Sequence, residues 1–117
     1  MKLAKNLLAA TAISALFVTA SMADADMIAK GEKIFNTKKL GNCLACHAIT
    51  GKKVKDPGSF GPDLSTVSEY PDELLYDLIY DIYSAKGLKF SAMPAFGKNG
   101  WLDDSEIKAV IAYLKSK

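Results

Sequence analysis

Residues 41–50 read GNCLACHAIT, and this stretch decides the fold. It contains Cys43 and Cys46, three positions apart, and His47 follows directly. These are the only cysteines and the only histidine in the 117-residue chain. A single histidine placed next to the only cysteine pair indicates one site that uses all three side chains.

Cysteine pairs of this kind serve three chemistries. A disulfide between Cys43 and Cys46 would close a very small loop and stabilise little, and a redox dithiol lies in a β-α-β context that this sequence does not show. Zinc takes four Cys, His or carboxylate ligands, so two cysteines and one histidine leave the set short. The C-x-x-C-H pattern is typical of covalent c-type haem, in which both thiols join the vinyl groups and the adjacent imidazole binds iron. One covalently attached haem c is the favoured hypothesis, with zinc and a dithiol as alternatives.

The N-terminal 23 residues have the three-part layout of a secretory signal peptide. Lys2 and Lys5 precede an uncharged apolar run, Leu7–Ala20, and a small-x-small site ends at Ala23. The sequence predicts cleavage after Ala23 and a periplasmic domain over residues 24–117. A retained membrane anchor is the alternative, but the run is short for a span of about 20 residues. Export agrees with the haem hypothesis, because c-type haem is attached outside the cytoplasm.

The charge of the predicted mature chain is balanced. The full chain has a formal net charge of +2, and removal of the leader leaves 13 lysines against 13 acidic residues. This balance gives no indication of nucleic-acid binding, and no membrane contact is predicted after cleavage. A domain of this size in an exported protein usually needs a disulfide, metal or cofactor to stabilise its core.

A second axial ligand of the haem iron is predicted in a later part of the sequence. Electron-transfer haems commonly use Met or His there, and no second histidine exists. Met27 precedes the first predicted helix, whereas Met93 lies in SAMPAFGKNG, where Pro94 and Gly97 predict a loop. A methionine can also simply fill a gap in the core. We predict that His47 and Met93 are the two metal ligands.

The segment SFGPDL, residues 59–64, follows the histidine by about a dozen positions. A proximal histidine needs its other ring nitrogen held by a carbonyl or carboxylate. The carbonyl of Pro62 is the predicted partner of His47, and a simple Gly-Pro turn is compatible with that role.

Helical patterns occupy both ends of the domain. Gly31 lies on the same predicted helix face as Phe35. Glycine inside a helix lowers its stability by about 1 kcal/mol relative to alanine, so its presence here indicates the close approach of another helix. Tyr113 of the last helix is the residue predicted to pack over Gly31. Asp103 and Glu106 form a capping-box pattern before the last helix.

A long middle helix is predicted from near Pro71 to Gly87. Its predicted apolar face comprises Leu74, Leu75, Leu78, Ile79 and Ile82. Its acidic stripe, predicted to be solvated, comprises Glu73, Asp77 and Asp81; its tyrosines, predicted to form a half-buried rim, are Tyr76, Tyr80 and Tyr83. No β alternation or internal repeat appears, so the predicted fold is all-α, with three to four helices and long loops around one haem.

The chain resembles the class I cytochromes c over nearly the whole of residues 24–117. The motifs that carry the resemblance are the Gly31/Phe35 helix, Cys43–His47, Gly61–Leu64, Met93–Gly97 and the end of the last helix at Ala112–Leu114. The resemblance implies the class I cytochrome c fold. It implies that Cys43 and Cys46 bear the thioethers, that His47 and Met93 ligate iron, and that the Pro62 carbonyl meets the His47 ring.

A narrower resemblance concerns the stretch before the cysteine pair. Residues 39–42, KLGN, followed by CLACHAI, look like SoxX subunits of the thiosulfate-oxidising SoxAX complexes, and the loop over residues 49–60 fits as well. The MPAFG segment instead looks like small soluble carriers of the cytochrome c6 and c553 type. A cytochrome subunit of another periplasmic oxidoreductase is the third alternative.

These alternatives predict different partners. The SoxX hypothesis predicts a SoxA-like haem subunit, which would supply any thiosulfotransferase activity, because this chain offers neither an open iron site nor a free nucleophile. The other hypotheses predict a different redox partner protein. Lys52, Lys53 and Lys55 are predicted to lie near the haem rim, either as a docking surface or as a solvated loop.

Overall fold

The computed structural model describes residues 24–117, so the predicted signal peptide lies outside the described residues. The helices are α1 (residues 24–36), α2 (Asp72–Tyr80), α3 (Ile82–Lys86) and α4 (Asp104–Lys115), with 3-10 turns at Cys43–Ala45 and Val67–Glu69. No strand occurs among these residues, which confirms the all-α prediction. Within the same range, no helix combines the length and apolar character needed to cross a membrane.

Helices α1 and α4 cross in direct contact at Gly31. A Cβ there would overlap the carbonyl of Ala109 and lie 2.8 Å from the Cβ of Tyr113, so only glycine allows this approach. One turn further along α1, the Phe35 ring packs on the Tyr113 ring with their centroids 5.5 Å apart. The predicted contact between Gly31 and Tyr113 is therefore confirmed, and it joins the two ends of the domain.

The start of α4 carries the predicted capping box. The Asp103 carboxylate accepts from the Glu106 backbone N–H at 2.8 Å, and the Glu106 carboxylate accepts from the Asp103 N–H at 3.0 Å. These reciprocal bonds satisfy two backbone donors that the first helical turn leaves free. Helix α4 then contributes more of the buried apolar core than any other helix, through Ile107, Ala109, Val110, Ile111, Tyr113 and Leu114.

The prediction of a single middle helix from near Pro71 to Gly87 is wrong. The helix ends at Tyr80, and a second one begins at Ile82 after Asp81 adopts an extended conformation with φ −157° and ψ 90°. A tertiary contact explains the break. The Tyr80 carbonyl accepts from the backbone N–H groups of Gly97 and Lys98, at 3.1 and 3.0 Å, in place of a continuing helical bond.

Asp81 is only 8% exposed. The prediction that it belongs to a solvated acidic stripe is therefore wrong. Its carboxylate caps α3 by accepting from the Ser84 backbone N–H at 3.4 Å and from the Ser84 hydroxyl at 2.8 Å. Lys98 lies 3.7 Å from the same carboxylate. The Ser84 hydroxyl is the main cause that holds the pKa of Asp81 below its ordinary value. The other two acids of the stripe, Glu73 and Asp77, are exposed as predicted.

The predicted apolar face of the middle segment is narrower than expected. Leu75 and Ile79 are buried, whereas Leu74 is exposed. Two of the three tyrosines are half-buried, as predicted for a rim, and Tyr80 is exposed although its ring packs on Gly97.

Candidate functional site

One cavity of about 770 Å³ is lined by all five of the residues predicted from the sequence: Cys43, Cys46, His47, Pro62 and Met93. They come from three separate loop segments, and the fold brings them together. The volume lies within the range of about 300–1,000 Å³ that is usual for small-molecule and cofactor pockets.

The cysteine pair lies on a tight turn. Residues Cys43–Ala45 form the 3-10 turn, and the Cys43 carbonyl accepts from the backbone N–H of Cys46 at 3.2 Å and of His47 at 2.9 Å. Asn42 enters the turn in the left-handed region, with φ 51°. This geometry places both thiols and the imidazole on the wall of the same cavity.

Cys43 and Cys46 do not form a disulfide with each other. Burial raises the pKa of the Cys43 thiol to about 12. A dithiol redox site needs a thiolate near neutral pH, and burial disfavours one at Cys43. The described residues also contain no group of three or more His, Cys, Asp or Glu side chains that could hold a metal ion. Neither the dithiol nor the zinc alternative is supported by this part of the chain.

The His47 ring is held from behind by the loop that contains Pro62. Nδ1 of His47 lies 2.8 Å from the Pro62 carbonyl oxygen. Because a carbonyl only accepts, Nδ1 must carry a proton in this contact, so in the neutral ring the lone pair that can bind a metal is on Nε2. Gly61 lies against the ring, where a Cβ would overlap Cε1 of His47.

Backbone hydrogen bonds attach this loop to the cysteine turn. The Gly58 N–H donates to the Leu44 carbonyl at 2.9 Å, and the Gly61 N–H donates to the Cys46 carbonyl at 2.7 Å. These bonds fix the position of the Pro62 carbonyl relative to the histidine, so the loop sets the orientation of the imidazole.

Asp63 makes three hydrogen bonds that were not predicted from the sequence. Its carboxylate accepts from the Thr50 hydroxyl at 2.8 Å, from the Thr50 N–H at 3.1 Å and from the Ser65 N–H at 2.9 Å. These bonds, with the Thr50 hydroxyl first, lower the pKa of Asp63 to about 2. Aspartate directly after Pro62 was the available signal, since such a residue often accepts from the backbone nearby.

Acid is therefore expected to weaken the loop that holds His47. The pKa of Asp63 is lowered on folding from about 3.9, so its contribution to stability is present above about pH 4 and is lost as the pH falls to about 2. In Asp63→Asn this part of the acid sensitivity should be absent, and stability at pH 7 should be lower. Denaturant unfolding followed by circular dichroism at several pH values measures both effects.

Asp56→Asn is the matched control, because Asp56 is exposed on the same loop. It should keep the pH dependence of the wild type. If Asp63→Asn also kept that dependence, the carboxylate would not be the acid-sensitive group of the loop.

Of the two methionines considered as ligands, Met93 lines the cavity and Met27 does not. Met27 is 36% exposed and borders a different groove, formed with residues of α2 and α4. Met93 is half-buried, and its backbone N–H donates to the Ser91 hydroxyl at 3.1 Å.

Several large apolar side chains that line the cavity are exposed to solvent. Phe60 is 80% exposed, Trp101 is 60% exposed and Leu40 is 36% exposed, and all three line the cavity together with Lys38 and Lys39. Large apolar side chains exposed around one cavity often mark a binding site. A flat, largely apolar cofactor with two attachment points and an iron atom fits this cavity, its thiols and its free imidazole nitrogen.

None of the three lysines predicted to lie near the rim lines the cavity. Lys52 donates to the Ser116 carbonyl and hydroxyl, both at 2.8 Å, and its ammonium lies 4.9 Å from the centroid of the Tyr113 ring. It therefore attaches its loop to the last helix. Neither Lys52 nor its neighbours Lys53 and Lys55 are among the described residues that line the cavity. The prediction was wrong because distance along the loop from His47 does not indicate which side the loop faces.

An all-α chain with a cysteine pair, an oriented imidazole and a methionine around one apolar cavity has the features of a c-type cytochrome. The family model for cytochrome c matches residues 28–117. The chain belongs to the cytochrome c family, and its fold is that of a class I cytochrome c. It carries one covalently bound haem c and transfers electrons to and from redox partner proteins. No curated protein gives a significant match to the chain.

Proposed function

We propose that Cys43 and Cys46 hold the haem through thioether bonds and that Nε2 of His47 and the sulfur of Met93 are its axial ligands. The observation that carries this assignment is the hydrogen bond between Nδ1 of His47 and the Pro62 carbonyl, at 2.8 Å. It leaves Nε2 as the ligating nitrogen of an imidazole whose orientation is fixed.

This ligand set makes the chain a one-electron carrier. Haem supplies the reversible change between ferrous and ferric iron, and His/Met ligation raises its reduction potential. With His47 and Met93 both ligating the iron, it would offer no open site to small molecules. The proposed function therefore includes no catalysis by this chain alone.

We propose that the protein works in the periplasm after cleavage behind Ala23. The support is the order of Lys2 and Lys5, the apolar run and the small-x-small site in the sequence. Covalent haem attachment outside the cytoplasm agrees with this location.

Within that setting, we propose a SoxX-like role as the small subunit of a SoxAX complex, with a SoxA-like haem protein as partner. The support is the KLGN stretch, residues 39–42, before CLACHAI, and the long loop after it. The partner subunit would then provide the thiosulfotransferase chemistry.

A free electron shuttle of the cytochrome c6 or c553 type is the second candidate, and one observation favours it. Lys38 and Lys39 are both exposed and both line the open cavity, beside exposed Phe60 and Trp101. Exposed charges of this kind steer a partner of opposite charge into short-lived encounters, and salt screens them.

Salt dependence separates the two roles. For a shuttle, Lys38→Gln/Lys39→Gln should slow electron transfer to an acidic partner several-fold at low salt and flatten its dependence on salt. For a stable subunit, a larger haem protein should co-purify from the periplasm and remain bound through moderate salt, because apolar contact is not screened. Size-exclusion chromatography across salt, beside transfer rates, measures both.

Lys53→Gln/Lys55→Gln is the matched control, with the same loss of charge away from the cavity. It should leave the rates unchanged. A protein that elutes alone at every salt concentration would contradict the SoxX-like role, and a salt-resistant complex would contradict the shuttle.

A further inference from the structure

The segment that precedes Met93 makes few hydrogen bonds. Residues 87–90 are exposed after α3 ends. Among the described residues, two hydrogen bonds involve residues 89–94. One is local, from the Met93 N–H to the Ser91 hydroxyl at 3.1 Å. The other comes from outside the segment: the Tyr83 hydroxyl donates to the Ser91 carbonyl at 2.9 Å.

Tyr83 is itself firmly placed. It lies on α3, whose first turn is capped by the buried carboxylate of Asp81. Its backbone carbonyl accepts from the Leu88 N–H at 2.8 Å, which closes the end of the same short helix. A half-buried ring on a capped helix is a rigid donor, so the Ser91 carbonyl is held at a defined place two residues before Met93.

The other end of the Met93 loop is attached to the same helix break. The Tyr80 carbonyl accepts from Gly97 and Lys98, and Asp81 pairs with Lys98 at 3.7 Å. Beyond Met93 the loop also has internal bonds, such as that from the Asn99 N–H to the Ala95 carbonyl at 2.9 Å. The N-terminal side of Met93 therefore depends on the Tyr83 bond far more than the C-terminal side depends on any one contact.

We propose that Tyr83 is a positioning residue that keeps Met93 at the cavity through the Ser91 carbonyl. This role rests on the proposed function of Met93 as an axial ligand. Without the tyrosine hydroxyl, residues 89–92 would lose their bond to the helices, and Met93 would leave the cavity more often. An added ligand that competes with Met93 for the iron would then bind more tightly. Its affinity would rise by the same factor by which the equilibrium constant for Met93 binding falls.

Tyr83→Phe removes only the hydroxyl, and imidazole is the competing ligand. A single hydrogen bond of ordinary strength corresponds to a change of about threefold to tenfold, so the apparent imidazole affinity of the ferric protein should rise by about that factor. Imidazole titration followed through the far-red absorption of the methionine-ligated form measures it. Ser91→Ala, which removes the acceptor of the Met93 N–H, should shift the affinity in the same direction.

Tyr76→Phe is the matched control. The Tyr76 hydroxyl donates to Asp104 at 2.9 Å, at the first turn of α4, and this bond does not involve the Met93 loop. Loss of that bond can lower general stability, but it should leave the imidazole affinity at the wild-type value. A rise of equal size in Tyr76→Phe would overturn the positioning role, because general loosening would then explain both.

Met93→Ala in parallel separates the two assignments. If it abolishes the far-red absorption while Tyr83→Phe binds imidazole as the wild type does, the ligand assignment stands and the role of Tyr83 is overturned. If the far-red absorption survives in Met93→Ala, the ligand assignment fails and the role of Tyr83 with it. Loss of the absorption in Met93→Ala, with tighter imidazole binding in Tyr83→Phe alone of the two tyrosine variants, supports both.

Discussion

Replacing Cys43 and Cys46 together by serine is expected to abolish covalent haem attachment and to leave the domain largely unfolded. One side of the fold is a cavity of about 770 Å³ with Phe60 and Trp101 exposed at its edge, so haem supplies apolar contact that the side chains alone do not. A domain of this size has little stability to spare. A haem-stained denaturing gel and far-ultraviolet circular dichroism measure the two effects.

Ala45→Ser is the control for this double variant, because it adds a serine hydroxyl to the same turn and keeps both thiols. It should retain the haem stain and the helical signal. A wild-type band without haem stain would contradict covalent attachment altogether. A folded double variant would show that the fold does not depend on the haem.

Met93→Ala is expected to remove the weak far-red absorption that arises when methionine sulfur is bound to ferric iron. The variant should bind imidazole or cyanide readily and have a lower reduction potential, since Met ligation raises it. Met93 also packs partly buried against the core, so its truncation should lower the free energy of unfolding by about 2 kcal/mol. Absorption spectra, ligand titrations and redox titrations test these effects.

Met27→Ala is the matched control, since Met27 borders a separate groove. It should keep the far-red absorption and the potential of the wild type. If the absorption survived in Met93→Ala and vanished in Met27→Ala, Met27 would be the ligand and the assignment of Met93 would be wrong.

Local patterns in the sequence were enough to predict several features. The adjacency of Cys46 and His47 reflects a cofactor whose attachment points and iron lie close together, so the pattern itself indicates the chemistry. The capping box at Asp103 depends on residues three positions apart, and the contact at Gly31 follows from a glycine that a helix would otherwise disfavour. All of these signals lie within one turn or one helix face.

Features that depend on contacts distant along the chain were not predicted. The helix break at Asp81 results from donors that Gly97 and Lys98 bring to the Tyr80 carbonyl, and no periodicity within the helix indicates them. Lys52 was misplaced for a similar reason, since its partner Ser116 lies at the far end of the chain. That Phe60 lines the cavity could be seen only in the folded structure.

Covalent haem attachment is tested most directly by the mass spectrum of the tryptic peptide from Leu40 to Lys52 of the purified protein. Cleavage after Lys39 and Lys52 releases Cys43, Cys46 and His47 together in this one peptide. We expect the peptide to carry the added mass of one haem, with both thiols blocked. A peptide at its unmodified mass, or one lacking two hydrogens because of a disulfide, would contradict the proposed attachment.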